Sequence, residues 1–209
     1  MSRKKKEKKH YDTRMALASA DQFNAHAQVY IRQALKDSAD SSRTYSLYSI
    51  SSVISSATML SLSLELYLKC LHMLVGNEVN QTHHLWTLFK TLPLEIQEGI
   101  RSVYKEKNEV DDEKLAAVQV VVYVGKEKPI GPEPSLGSTG PVDIKSVLVR
   151  SSDAFETWRY FYEKGKLDEY KVFNYEFQRI LLICSAVRTY ISAIMDIKMS
   201  EQSAVVPKA

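Results

Sequence analysis

The sequence predicts an all-α fold, an up-and-down helical bundle of about five to seven helices, and three observations carry that expectation. The first is the stretch Met59–Gly76. Leu60, Leu62, Leu64, Leu66 and Leu68 alternate with polar residues as in a strand, but the run is long, rich in the helix former Leu, and free of β-branched residues until Val75. On a helix, Leu60, Leu64, Leu68 and Leu71 form one apolar stripe and Leu62, Leu66, Cys70 and Met73 a second beside it, the mark of a central bundle helix. The second observation is the scarcity of breakers: four of the seven glycines and four of the six prolines fall within Gly125–Pro141, leaving long uninterrupted helical patterns elsewhere. The third is the last periodic segment, residues 172–197, with Phe173, Phe177, Ile180, Leu181, Cys184, Val187, Ile191 and Ile194 on one broad face.

Taken in order, residues 1–15 are a lysine-rich tail with the composition of a disordered segment. Phe23, Ala27, Tyr30, Ile31 and Leu35 give helical spacing over 16–40, and Ser41-Ser42 reads as a break. A second helix starts near Thr44 and runs into Met59–Gly76, with Ser51–Ser56 as the place for a kink and Gly76 as the C-terminal stop. Thr82 caps a short helix over His83–Thr91, and Pro93 opens another that reaches about Lys105. Residues 111–124 begin like a helix and end in β-branched residues; helix is the expectation. Gly125–Pro141 is an exposed loop. Helices are expected over Val142–Glu163 and 172–197, and residues 198–209 read as a disordered tail.

Charge and composition narrow the function classes. The net charge of +3 is concentrated at the N-terminus: residues 1–14 hold seven Lys or Arg against Glu7 and Asp12, a balance of +5, so the remainder stands at about −2. The folded part, 16–197, therefore reads as one domain without the bulk basicity of a nucleic-acid binder. Cys70 and Cys184 sit in apolar helical patterns and read as buried free thiols. The basic start lacks the apolar stretch of a secretory signal, and the longest apolar run, Ile180–Met195, is interrupted by Arg188. A cytoplasmic protein without membrane contact is the expectation.

Glycine-rich phosphate loops, Gly-x-Ser-x-Gly elbows, Cys/His metal ladders and His-Glu-x-x-His are missing, so neither metal nor cofactor is expected. Polar residues within apolar surroundings are the remaining candidates. Ser61, Glu65, Lys69 and His72 make one stripe on the central helix, with Glu65 and Lys69 in the favourable acid-first i, i+4 order. A solvated edge carrying a pair worth about 0.3–0.5 kcal/mol is one reading; a semi-buried pair meeting a partner elsewhere is the other. Of the adjacent His83 and His84, about 100° apart on a helix, one faces the bundle and the other is wet; His84 is taken as the candidate. Arg159, flanked by Trp158 and Tyr160 and followed at i+4 by Glu163, requires a carboxylate if buried, and Glu65 is the expected partner.

Glu65-Leu-Tyr-Leu-Lys-Cys-Leu71, His84-Leu-Trp-Thr-Leu-Phe-Lys-Thr-Leu-Pro93 and Ala154-Phe-Glu-Thr-Trp-Arg-Tyr-Phe-Tyr-Glu163 resemble, in order and approximate spacing, bacterial HEPN-type helical proteins over residues 16–197. The resemblance implies a helical bundle that forms a homodimer. It also implies either a metal-independent ribonuclease of toxin–antitoxin and phage-defence systems or a non-catalytic binding module. Active members carry an Arg, four to six residues, then a His, in which the His acts on protons and the Arg stabilises the phosphorane. Here the one match is Arg3 with His10, inside the lysine-rich tail, where no fixed catalytic geometry can be held. The expectation is thus a HEPN-like binding module for RNA or protein. The alternative is a ribonuclease with a non-standard site drawn from Arg159, His84, Glu65 and Lys69. In the first case Glu65, Lys69, His72, His84, Arg159, Tyr160 and Glu163 form a binding or structural cluster.

Overall fold

The architecture is that of a computed structural model, which describes residues 12–39, 47–109, 118–124, 142–152 and 169–204. It is a helical bundle. Among the described residues there are six helices: α1 (Thr13–Ala39), α2 (Leu47–Leu74), α3 (Leu85–Lys90), α4 (Leu94–Glu109), α5 (Ile144–Arg150) and α6 (Phe177–Ala204).

The central element is α2, and of its two apolar stripes the first forms the core while Leu62, Leu66 and Met73 of the second are only partly buried. Leu60, Leu64, Leu68 and Leu71 are fully buried, and α2 packs against α1, α3 and α6. No break interrupts α2 at the serine-rich stretch, and two of its buried serines donate across to α1. Ser56 Oγ donates to the Ala27 carbonyl at 2.7 Å and Ser63 Oγ to the Ala20 carbonyl at 2.8 Å. With Ala20, Ala27 and Ala57 beside them, these small residues allow α1 and α2 to lie close together. Gly76 ends α2 as expected: its φ of +76° is open to glycine at little cost, and the Asn77 and Gly76 amides donate back to the His72 and Met73 carbonyls at 2.9 and 3.2 Å.

Three expectations are corrected. Residues Val118–Val124 form a strand, β1, where a helix was expected; residues 110–117 lie outside the described residues. The last helix starts at Phe177, because Glu169–Tyr175 is a second strand, β2, paired antiparallel with β1 in the register Val118↔Tyr175, Val121↔Val172 and Val124↔Glu169. Five valines in seven positions favour the pleated conformation once a partner strand is available. The helix expected over Val142–Glu163 stops at Arg150, capped by Asp143, whose carboxylate accepts the Ser146 amide at 3.1 Å; residues 153–163 lie outside the described set.

The apolar face of α6 is used in large part as read: Phe177, Ile180, Cys184, Val187 and Ile191 are buried, Leu181 and Ile194 only partly, and Ile183 joins them in the core. Its segment Phe177–Lys198 holds an 18-residue stretch of mean hydropathy 1.7 and has the length and composition to cross a membrane; a third of that stretch is buried inside the bundle. Against α4 it comes close enough that Gly99 lies directly under the Tyr190 ring.

Candidate functional site

Two polar constellations stand out, and the first is built on the polar stripe of α2. Its side chains are buried, which decides between the two readings: Ser61, Glu65 and His72 are each 3% exposed or less, and Lys69 is 17% exposed. Ser61 Oγ lies 2.7 Å from the Tyr175 hydroxyl, tying α2 to the end of β2. Lys69 Nζ donates to Glu65 Oε1 at 2.6 Å, the expected i, i+4 pair. The second partner of Glu65 is His83, whose Nδ1 stands 3.0 Å from both carboxylate oxygens while its side chain remains 51% exposed.

His84, the histidine expected from the sequence, is therefore not the one that meets Glu65. It occupies the N-cap position of α3 in an extended conformation, φ −76° and ψ 105°, with its Nδ1 3.5 Å from the Thr87 hydroxyl. The helix expected from His83 begins only at Leu85, and an extended chain sends neighbouring side chains to opposite sides. That turns His83 towards α2. The Thr82 hydroxyl accepts the His84 amide at 3.1 Å and helps set this entry to α3.

His72 is engaged structurally: its Nε2 meets the Leu88 carbonyl at 2.8 Å, joining α2 to the last turn of α3, where orphan carbonyls need donors. Arg159, Tyr160 and Glu163, and with them the expected Glu65–Arg159 pair, lie outside the described residues.

The second constellation was not expected. Both α1 and α6 pack beside α2, and between them runs an open furrow of about 710 Å³ over Tyr67. Asp21 braces it: its carboxylate accepts from the Tyr67 hydroxyl at 2.5 Å and from Arg188 Nε at 2.9 Å, while Arg188 Nη1 reaches Ser192 Oγ at 2.5 Å. Asn24 and Gln28 continue the wall on α1, with Gln28 donating to Asn24 at 3.3 Å and Arg32 to Gln28 at 3.3 Å. On the α6 side Ser185 lines the furrow and accepts from Lys107 of α4 at 2.7 Å. Burial first, and then the hydrogen bond to Asp21, push the Tyr67 phenol well above its usual range, so it acts as a fixed donor. A signal for this network was present in the sequence. An arginine within the apolar Ile180–Met195 run requires an anion nearby.

A third ionic group joins α5 to α6. Glu176 accepts from Arg179, 2% exposed, at 3.1 Å and from Arg150 Nε at 2.7 Å. Its role is structural, since one carboxylate offsets a buried guanidinium and anchors a helix end.

Compared with protein-family models, with curated proteins and with solved structures, the chain matches none. Among the described residues no cluster of His, Cys, Asp and Glu is arranged to hold a metal ion.

Proposed function

We propose that the chain is a HEPN-like helical binding module, acting as a cytoplasmic homodimer in a bacterial defence or toxin–antitoxin setting, with RNA or a protein as partner. The observation that carries the binding reading is the furrow between α1 and α6. It is open, within the size range of ligand sites, and walled by donors and acceptors already fixed by the Asp21–Tyr67–Arg188 network. Arg188 lines it opposite Asp21, and two further cations, Arg32 and Lys107, stand one hydrogen bond behind its lining residues Gln28 and Ser185, which makes RNA the first ligand to try.

The test is a titration of labelled single-stranded RNA, in EDTA, with wild type and with Ala25→Trp, which fills the furrow from an exposed helical position. Binding weakened about tenfold or more by the tryptophan, equal to roughly 1.4 kcal/mol, is the expected result. Equal affinities would remove the furrow from the reading. Failure of wild type to bind RNA would turn it towards a protein partner.

A specific observation favours a second reading, a metal-independent ribonuclease with a non-standard site. The buried Glu65 carboxylate holds a half-exposed imidazole, an arrangement suited to proton transfer. Purified protein that leaves single-stranded and structured RNA intact over a wide enzyme range would exclude it.

A further inference from the structure

We propose that one end of the bundle docks on the surface of a membrane rich in anionic lipids, a role separate from ligand binding in the furrow. The end is the one where α2 stops at Leu74, Gly76 turns the chain and α4 starts at Leu94. Lys198 Nζ donates to the Leu74 carbonyl at 2.5 Å and so fixes the last turns of α6 there. Leu74, Val75, Ile96, Tyr190 and Ile194 line an apolar hollow of about 580 Å³ between these three helices.

Apolar side chains also stand in water around it. Leu94 and Ile197, each one residue before a lining residue, are more than half exposed. Ile197 is three residues beyond Ile194, which puts it on the same side of α6. Among the described residues six large apolar side chains are exposed, and a third of them, Met15, is at this end as well, because α1 begins here. The Thr13 hydroxyl stands 4.0 Å from Met73 Sδ, and the Thr13 carbonyl 3.7 Å from Cys70 Sγ.

The chain ahead of Asp12 therefore joins the bundle where the hollow lies. Residues 1–14 carry seven Lys or Arg against two acids, a balance of +5, while Glu95 and Lys198 at the hollow offset each other. Positive charge at this end thus comes from the lysine-rich segment. A polybasic segment attracts anionic headgroups, and exposed apolar side chains enter the headgroup–acyl boundary; each signal alone is marginal, and the two together hold a protein on a bilayer. Other occupants match one half of the pattern. A second copy seated here would bring another +5 to the same place, and RNA would meet the lysines but not Leu94 and Ile197. The expectation of no membrane contact rested on secretory and spanning signals, and a surface anchor needs neither.

The experiment is co-sedimentation of the full chain with vesicles of phosphatidylcholine alone and of phosphatidylcholine with about a third phosphatidylserine. Wild type is expected to bind the anionic vesicles about tenfold or more tighter than the neutral ones, and to be released as salt rises. A variant with Lys4→Gln, Lys5→Gln, Lys6→Gln, Lys8→Gln and Lys9→Gln, and another with Leu94→Glu and Ile197→Glu, should each lose about tenfold or more. Leu94→Ser with Ile197→Ser removes the apolar contact without adding charge and should still weaken binding about threefold or more. Val149→Glu, exposed on α5, should bind as wild type. Circular dichroism checks that each variant is folded. No binding to anionic vesicles, an unchanged affinity in the lysine variant or in the folded serine pair, or capture of RNA by the lysines without capture of vesicles, overturns the docking surface. None of these results touches the furrow, which is tested by Ala25→Trp.

Discussion

The contact between α1 and α2 makes a quantitative prediction. Ser56 and Ser63 are seven residues apart on α2, and their acceptors Ala27 and Ala20 are seven apart on the antiparallel α1. Both hydroxyls are completely buried. Replacing either serine by alanine removes one hydrogen bond, worth about 1 kcal/mol, but the orphaned carbonyl keeps its partner within α1 and alanine is the better helix former. Each alanine should therefore cost about 0.5–1 kcal/mol. Lying about 10 Å apart along α2, the two should add, giving about 1–2 kcal/mol for the double variant. Leucine is the sharper test. Ser63→Leu loses the same bond and forces a large side chain between helices whose contact is made by Ala20 and Ala57, for a total of about 2–4 kcal/mol.

Urea unfolding followed by circular dichroism gives the answer. With a slope of about 2 kcal/mol/M, the midpoint should fall by roughly 0.4 M for Ser63→Ala and by more than about 1 M for Ser63→Leu, with unchanged slopes. A leucine variant as stable as the alanine variant would refute the reasoning. It would mean that apolar area, and not close approach of small residues, holds α1 to α2.

Further predictions rest on other contacts. Gly99→Ala would put a methyl carbon 2.0 Å from the Tyr190 hydroxyl, so unfolding measurements should show a loss of about 1–2 kcal/mol despite the gain in helix propensity; adding Tyr190→Leu should recover it. Glu176→Ala removes the carboxylate facing the buried Arg179 and should cost about 3 kcal/mol or more by the same assay, with Glu176→Asp intermediate. Burial lifts the Cys70 thiol to about 11, the Cys184 thiol higher still, and the Tyr104 phenol to about 12. Folded chains then keep protons that unfolded chains release, so the stability these groups contribute is complete below about pH 8.5 and is lost as pH rises through 9 to 11. The expected decline is about 1.4 kcal/mol per pH unit for each group ionised only in the unfolded chain, and urea midpoints flat from pH 8 to 11 would contradict it. Neither thiol should react with a water-soluble disulfide reagent until the protein unfolds.

What the sequence made legible was the set of elements whose cause is local. The Leu60–Leu64–Leu68–Leu71 stripe of α2, the glycine that ends it and most of the apolar face of α6 follow from spacing within one segment. The strands did not, because β1 pairs with a segment some fifty residues further on, and only the run of β-branched residues hinted that a partner existed. The acceptors of the α2 serines were hidden for the same reason: those of Ser56 and Ser63 belong to α1.

The polar residues extend this distinction from fold to site. Arg188 in an apolar run shows that an anion is required, but nothing local says that Asp21, one helix away at the other end of the chain, supplies it. Glu65 likewise shows a buried charge in need of cations. Lys69, four residues on, was legible; His83 was not, because the choice between two adjacent histidines depends on whether α3 starts at His83 or at Leu85. A shift of two residues in a helix start thus decides which imidazole stands on the carboxylate. For that reason a test of the ribonuclease reading belongs on His83, although the sequence motif draws attention to its neighbour.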